Sequence, residues 1–174
     1  MASFEFFKSD YKFYGKHARM VSELWYMNDY EHTYFKRLVD IIPIAAIIGF
    51  RMNRKADADF APVESKTVFL QQMLNIKEDL DFILQMMIML EHAAELPQEE
   101  AVKRAFRGAE TKEEYKMYQE WFESYVRGGV EELYERLVIR KSDSDDNFYD
   151  NKTANLMVLL EFFSPKNKNS SLQM

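Results

Sequence analysis

The chain has 174 residues and a formal net charge of −6, from 23 Lys and Arg against 29 Asp and Glu. It contains no cysteine, which excludes disulfide scaffolds, cysteine-ligated zinc and iron–sulfur sites, and thiol catalysis. Hydrophobic residues make up 47% and aromatic residues 15%, too much for global disorder, and five glycines and four prolines are too few for a many-turned β-sandwich.

These limits predict a soluble all-α domain, a compact bundle of five or six helices. The charge is uneven. Residues 1–55 hold nine Lys and Arg against six Asp and Glu, and the remainder is strongly acidic. The first residues show no apolar signal segment. The longest apolar run, Ile41–Phe50, is interrupted by Pro43 and falls short of the roughly 20 residues of a membrane span. A cytoplasmic location without membrane contact is the expectation.

Residues 1–15 form an aromatic arm, with Phe4, Phe6, Phe7, Tyr11, Phe13 and Tyr14 needing a surface to dock on, either as extended chain or as a short helix. A first helix is predicted over Lys16–Met27, where Ala18, Val21, Leu24 and Trp25 recur at helical spacing, with Asn28 and Asp29 as breakers. The second, about Thr33–Phe50, is apolar on most sides after Asp40, which predicts burial among other elements. Pro43 should kink or restart it, and Ala45, Ala46 and Gly49 admit a close neighbour. Residues 51–64 read as a loop.

Ser65 is the expected N-cap of a long central helix over about 66–95. There Phe69, Met73, Ile76, Leu80, Ile83, Met87, Leu90 and Ala94 step by four and three. Its second half, Phe82–Leu90, is apolar almost all round and is expected at the centre of the bundle. A short helix follows from Pro97, as first helical residue, to Arg107, with Gly108 as its stop. Thr111 and Glu114 form a capping box that opens a second long central helix over about 112–140. Its stripe, from Tyr115 to Leu137, passes through Gly128 and Gly129 without losing phase. Close helix packing or a bend is the reading for this glycine pair. Residues 142–152 form an acidic loop, and a last apolar helix over about 153–163 must dock. One domain is expected over 1–163, with a disordered tail over 164–174.

The acidic loop resembles a calcium loop at Asp143, Asp145 and Asn147. However, Phe148 stands where the loop needs glycine and Ala154 where it needs glutamate, so it reads as a solvated loop. His17, His32 and His92 make no His-x-x-x-His or Glu-x-x-His pair, and are read as surface or supporting histidines. There is no phosphate-cradling glycine loop and no nucleophile motif. No catalytic residue, metal ligand or cofactor is assigned.

Three basic clusters remain: Arg51, Arg54 and Lys55; Lys103, Arg104 and Arg107; and Arg136, Arg140 and Lys141. Arg51, Arg107 and Arg140 suit helix C-termini. Arg54 and Lys55 are less well explained, and convergence of the first two clusters would make a phosphate-contacting face. The leading expectation is a non-catalytic helical subunit or adaptor in a multiprotein assembly, binding a protein partner or a second copy of itself through Phe, Tyr and Met surfaces. The alternatives are a nucleic-acid-associated accessory protein, for example in a bacterial phage-defence or genome-maintenance complex, and a metal-dependent helical-bundle enzyme.

Overall fold

The structure, a computed structural model, describes residues 4–25, 33–61, 64–139 and 151–165. It is 68% helical with one small two-stranded sheet, which places the chain in the all-α class.

The arm is extended. Phe4 bridges to Ala109, Phe6 stacks on Tyr115 at 4.8 Å, and Phe7 meets the edge of Phe122 at 5.0 Å. The arm ends in strand β1 (Tyr11–Tyr14), which pairs antiparallel with β2 (Ser65–Val68) in the register Tyr11↔Val68 and Tyr14↔Ser65. Ser65 therefore opens a strand and is not a helix cap. The β-branched Thr67 and Val68 suit this pairing, and β1 offers them a partner that local sequence does not reveal.

Helix α1 (Gly15–Leu24) buries Ala18, Val21 and Leu24, as its stripe predicts, and also His17. The predicted second helix is shorter than expected. Residues 33–37 are not helical, a 3-10 turn covers Leu38–Asp40, and α2 runs over Ile41–Arg51. Pro43 is the reason. It lacks the N–H that a longer helix would need there, but it fits the first turn of a helix beginning at Ile41.

The predicted 66–95 helix is also corrected. It begins as β2 and continues as α3 (Leu70–Asn75) and α4 (Lys77–His92), broken at Ile76. The heptad stripe keeps its phase across the break, so Met73, Leu80, Ile83 and Met87 are all buried. α5 (Gln98–Arg107) starts one residue after Pro97 and stops at Gly108, where φ is +74°. α6 (Lys112–Tyr134) is capped by Thr111, whose Oγ1 accepts the Glu114 N–H at 3.1 Å. The Glu114 carboxylate accepts from Glu110 N–H, not from Thr111. α6 runs unbroken through Gly128 and Gly129 into a π-helical turn over Glu135–Ile139. α7 (Asn151–Phe163) packs on that turn. Residues 142–150 of the acidic loop, the tail beyond Pro165, His32 and the basic residues Arg140 and Lys141 lie outside the described residues; Asn151 and Lys152, expected in the loop, open α7.

The most extensive contact between helices is α2 on α6. A Cβ built on Gly129 would lie 1.8 Å from the Ala45 carbonyl oxygen, one on Gly49 2.0 Å from that of Tyr125, and one on Gly128 1.9 Å from that of Arg54. The backbones meet directly, with small residues on both sides, the arrangement that small-residue helix pairs use to approach closely.

Gly129→Ala separates two effects of opposite sign. Helix propensity alone would stabilise the variant by about 1 kcal/mol. Overpacking against a backbone carbonyl should instead cost about 3 kcal/mol or more, in excess of the about 1–3 kcal/mol expected for Gly108→Ala, where only the backbone conformation resists. Urea unfolding of both variants measures this, and a Gly129→Ala variant as stable as the wild type would refute the contact.

Candidate functional site

The end of α2 builds the site. Asn53 adopts the left-handed conformation, with φ +49°. Its N–H bonds the Phe50 carbonyl at 3.0 Å and the Arg54 N–H bonds that of Gly49 at 2.8 Å. This is a Schellman stop, and Asn is among the few residues that tolerate its central position. The turn sends residues 54–56 along α6. The Ala56 N–H bonds Ser124 O at 3.0 Å, and the backbone of Arg54 crosses Gly128.

Arg54 thereby reaches three glutamates within about one helical turn on α6 and its extension. Its Nη1 and Nη2 donate to both oxygens of Glu135 at 2.8 and 2.6 Å, Nη1 also to Glu132 at 2.8 Å, and Nη2 to Glu131 at 3.1 Å. Glu132 also accepts from Arg136 Nε at 2.5 Å. Glu131 further accepts from Lys16 Nζ at 2.8 Å and from His17 Nε2 at 3.1 Å. The Arg54 bonds hold the Glu135 carboxyl below the usual range. Burial pushes Glu131 up, but the bonds from Lys16, His17 and Arg54 outweigh it and leave it low. His17 is 1% exposed, and burial holds its pKa below the ordinary value despite Glu131.

A second arginine continues the network toward the sheet. Arg127 is buried, donates Nε to Ala56 O at 2.8 Å, bonds Glu120, and lies 3.7 Å from Glu123. Burial raises the Glu123 carboxyl, opposed by its bond from Gln119 and by Arg127. Between β1, the start of α1, residues 58–60 and α6 lies a cleft of about 70 Å³, with His17, Arg127, Glu120 and Glu123 on its wall. That is room for a few waters or one small charged head, well below the roughly 300–1,000 Å³ of a drug-sized pocket. No serine, threonine or cysteine lines it. Glu131 fixes His17 with Nε2 as donor, so the ring can accept a hydrogen bond or a proton through Nδ1, with no serine, threonine or cysteine on the wall for it to activate.

The predicted basic residues do not meet. Arg54 bonds Glu131 while Arg107 bonds Glu114, seventeen residues away on the same helix, about 25 Å at 1.5 Å per residue. Arg51 lies over the Phe163 ring, Lys55 over Tyr125 and Arg136 over Phe162. Lys103 pairs with Glu99, and Arg107 with Glu110 and Glu114. Arg104 lines an open groove on α5 with Lys103 and Arg107. Among the described residues no group of three or more His, Asp or Glu side chains is placed to hold a metal ion, and no helix is long and apolar enough to cross a membrane.

Reading His17 as a surface or supporting histidine overlooks its register. It stands four residues before Val21 and seven before Leu24, on the buried stripe of α1. Glu131 and Glu123 carry no such signal, because their partners come from distant segments.

Arg54→Met leaves three carboxylates without their shared cation. Because Arg54 is 27% exposed, the loss should lie at the lower end for a broken buried pair, about 3 kcal/mol in chemical unfolding. A loss below about 1 kcal/mol would reduce the network to ordinary surface pairing.

The pH dependence has two stages. His17 is held neutral in the folded chain, so the unfolded chain binds a proton first and stability drops as pH falls through 6.5. The contribution of Glu131 and Glu135 is present above pH 4.5 and is lost as pH falls through their lowered values, while the raised Glu123 acts in the opposite sense. Urea titrations from pH 8 to 3 should show both stages. His17→Gln, which keeps a donor toward Glu131, should lack the upper one; an unchanged upper stage would assign that slope elsewhere.

Comparison with known proteins offers nothing to set beside this geometry: no family model matches the sequence, and no curated protein and no solved structure is similar to it beyond chance.

Proposed function

We propose that the chain is a non-catalytic helical subunit that binds a protein partner through the outer face of α4. The observation that carries this reading is a helix apolar on both sides. α4 turns Leu80, Ile83, Leu84, Met87 and Ile88 into the core. At 100° per residue its opposite face presents Phe82, Gln85, Met86, Met89 and Leu90, with Phe82 64% and Leu90 49% exposed. A helix that is hydrophobic all round needs cover on every side, and unbranched methionines repack readily against a partner. Phe82, Met86 and Met89 follow the i, i+4, i+7 spacing by which one helix reads another. A second copy of this chain is the simplest partner, through a self-complementary face.

Nucleic-acid association has less support. Arg54 is bonded to three glutamates, Arg51 and Lys55 lie over aromatic rings, and the α5 cluster carries its own carboxylates.

The test places a photo-crosslinking residue at position 82 in the native host and, as control, at the exposed Lys112. Sedimentation velocity of the purified chain accompanies it. The reading expects either a concentration-dependent dimer or a discrete product from position 82 only, both abolished by Leu90→Lys in a chain that still folds. A monomer at all concentrations, with the same products from both positions, would refute it.

A further inference from the structure

The wall of the cleft offers acceptors. Glu131 takes the His17 Nε2 hydrogen, so Nδ1 carries a lone pair, and that nitrogen bonds nothing among the described residues although its side chain is 1% exposed. The one buried donor on the wall, Arg127, is already engaged by Ala56 O, Glu120 and Glu123. Asp59 accepts the Lys16 and Ala61 N–H groups at 2.8 and 3.1 Å and stays ionised. With Lys12 at the rim, two cations face the three carboxylates Asp59, Glu120 and Glu123, leaving one negative charge uncompensated. The Tyr14 and Phe60 rings lie 5.4 Å apart on the same wall, and Phe60 is 72% exposed. A lone-pair nitrogen at the base, excess negative charge and aromatic faces form a combination that suits a cation, which gains from ring faces as well as from carboxylates. An anion would meet Lys12 and the Tyr11 and Tyr14 hydroxyls as donors, but against the carboxylates of Asp59, Glu120 and Glu123.

We propose that this cleft receives the ammonium or guanidinium head of a lysine or arginine side chain presented by a protein partner. The small volume selects the head of a side chain and excludes a nucleotide or a folded ligand. The cation lies against Glu123, donates to His17 Nδ1, and lays its alkyl stem along the contacting Tyr14 and Phe60 rings. The proposal deepens the protein-binding reading by naming what a partner offers at a second contact. Small-molecule probes test it without the partner, so its failure leaves the α4 face standing on its own experiment.

The experiment follows the ¹⁵N shift of His17 Nδ1 in the full chain. The probes are n-butylammonium chloride, Nα-acetyl-lysine amide and n-propylguanidinium chloride, with n-butanol and sodium butyrate as neutral and anionic counterparts. The cations should give a saturable shift, and the butanol and butyrate titrations should give none. Glu123→Gln should weaken binding about tenfold and Phe60→Ala about threefold, with unchanged circular dichroism. If the cations leave Nδ1 unmoved, or butanol moves it equally, the proposal is overturned. Saturable binding of n-butylammonium but not of the lysine amide would overturn the side-chain source and assign the cleft to a free amine.

Discussion

Everything around the candidate site depends on the direct backbone contact between α2 and α6. Gly49 and Gly129 lack the Cβ atoms that would hold the helices apart, and Gly128 lacks the one that would hold off the backbone of Arg54. Only at that separation can the chain leaving α2 turn at Asn53 and lie on α6, with Ala56 bonded to Ser124 and Arg54 crossing Gly128. Arg54 then falls among Glu131, Glu132 and Glu135, and Ala56 O meets Arg127. His17 joins through Glu131. A packing constraint made of missing atoms thus sets the address of every charged group in the network.

The network also reinterprets the charge asymmetry. The basic N-terminal third and the acidic remainder are joined inside the molecule, where Lys16 and Arg54 from the first meet Glu131, Glu132 and Glu135 from the second. Without them, Glu135 would face Glu131 and Glu132, four and three residues before it, as like charges one turn away. Opposite charges held in contact cancel at a distance, so the field available to steer a charged partner is smaller than the sequence implies. Recognition of another molecule then falls to contact surfaces, apolar faces and short-range polar clefts.

The helical class, the α1 stripe, the Gly108 stop, the Thr111 cap and the buried positions of α4 were legible because each depends on residues within a few turns. Less legible were the features that need a distant partner. Ser65–Val68 looks like the start of a helix until β1 pairs with it. Pro43 announces a break without saying on which side the helix lies. Arg54 stood out as a cation without a local reason, and its reason lies 77 to 81 residues away. Glu123 and Glu131 are indistinguishable in sequence from the exposed glutamates beside them. His17 was within reach, since its register on α1 places it inward, but a histidine's chemistry draws attention before its position does.

The outer face of α4 shows how a sequence expectation can miss and still inform. Apolar residues on all sides of Phe82–Leu90 predict a helix surrounded by protein, yet Phe82 and Leu90 are exposed and Met86 and Met89 only half-buried. Helix propensity does not explain the surplus, because Phe and Leu on an exposed face add little that Glu, Lys or Ala would not supply, and contiguous exposed apolar surface carries a risk of aggregation. α7 repeats the pattern, with Met157, Leu160 and Phe162 exposed while Leu156, Leu159 and Phe163 pack against the core. Among the described residues the core beneath α4 is filled by its opposite side. On the proposed reading the outer face of α4 is buried by a partner, and α4 suits that role better than α7: five buried side chains hold its face rigid, so a partner would meet it preformed and lose less freedom in binding.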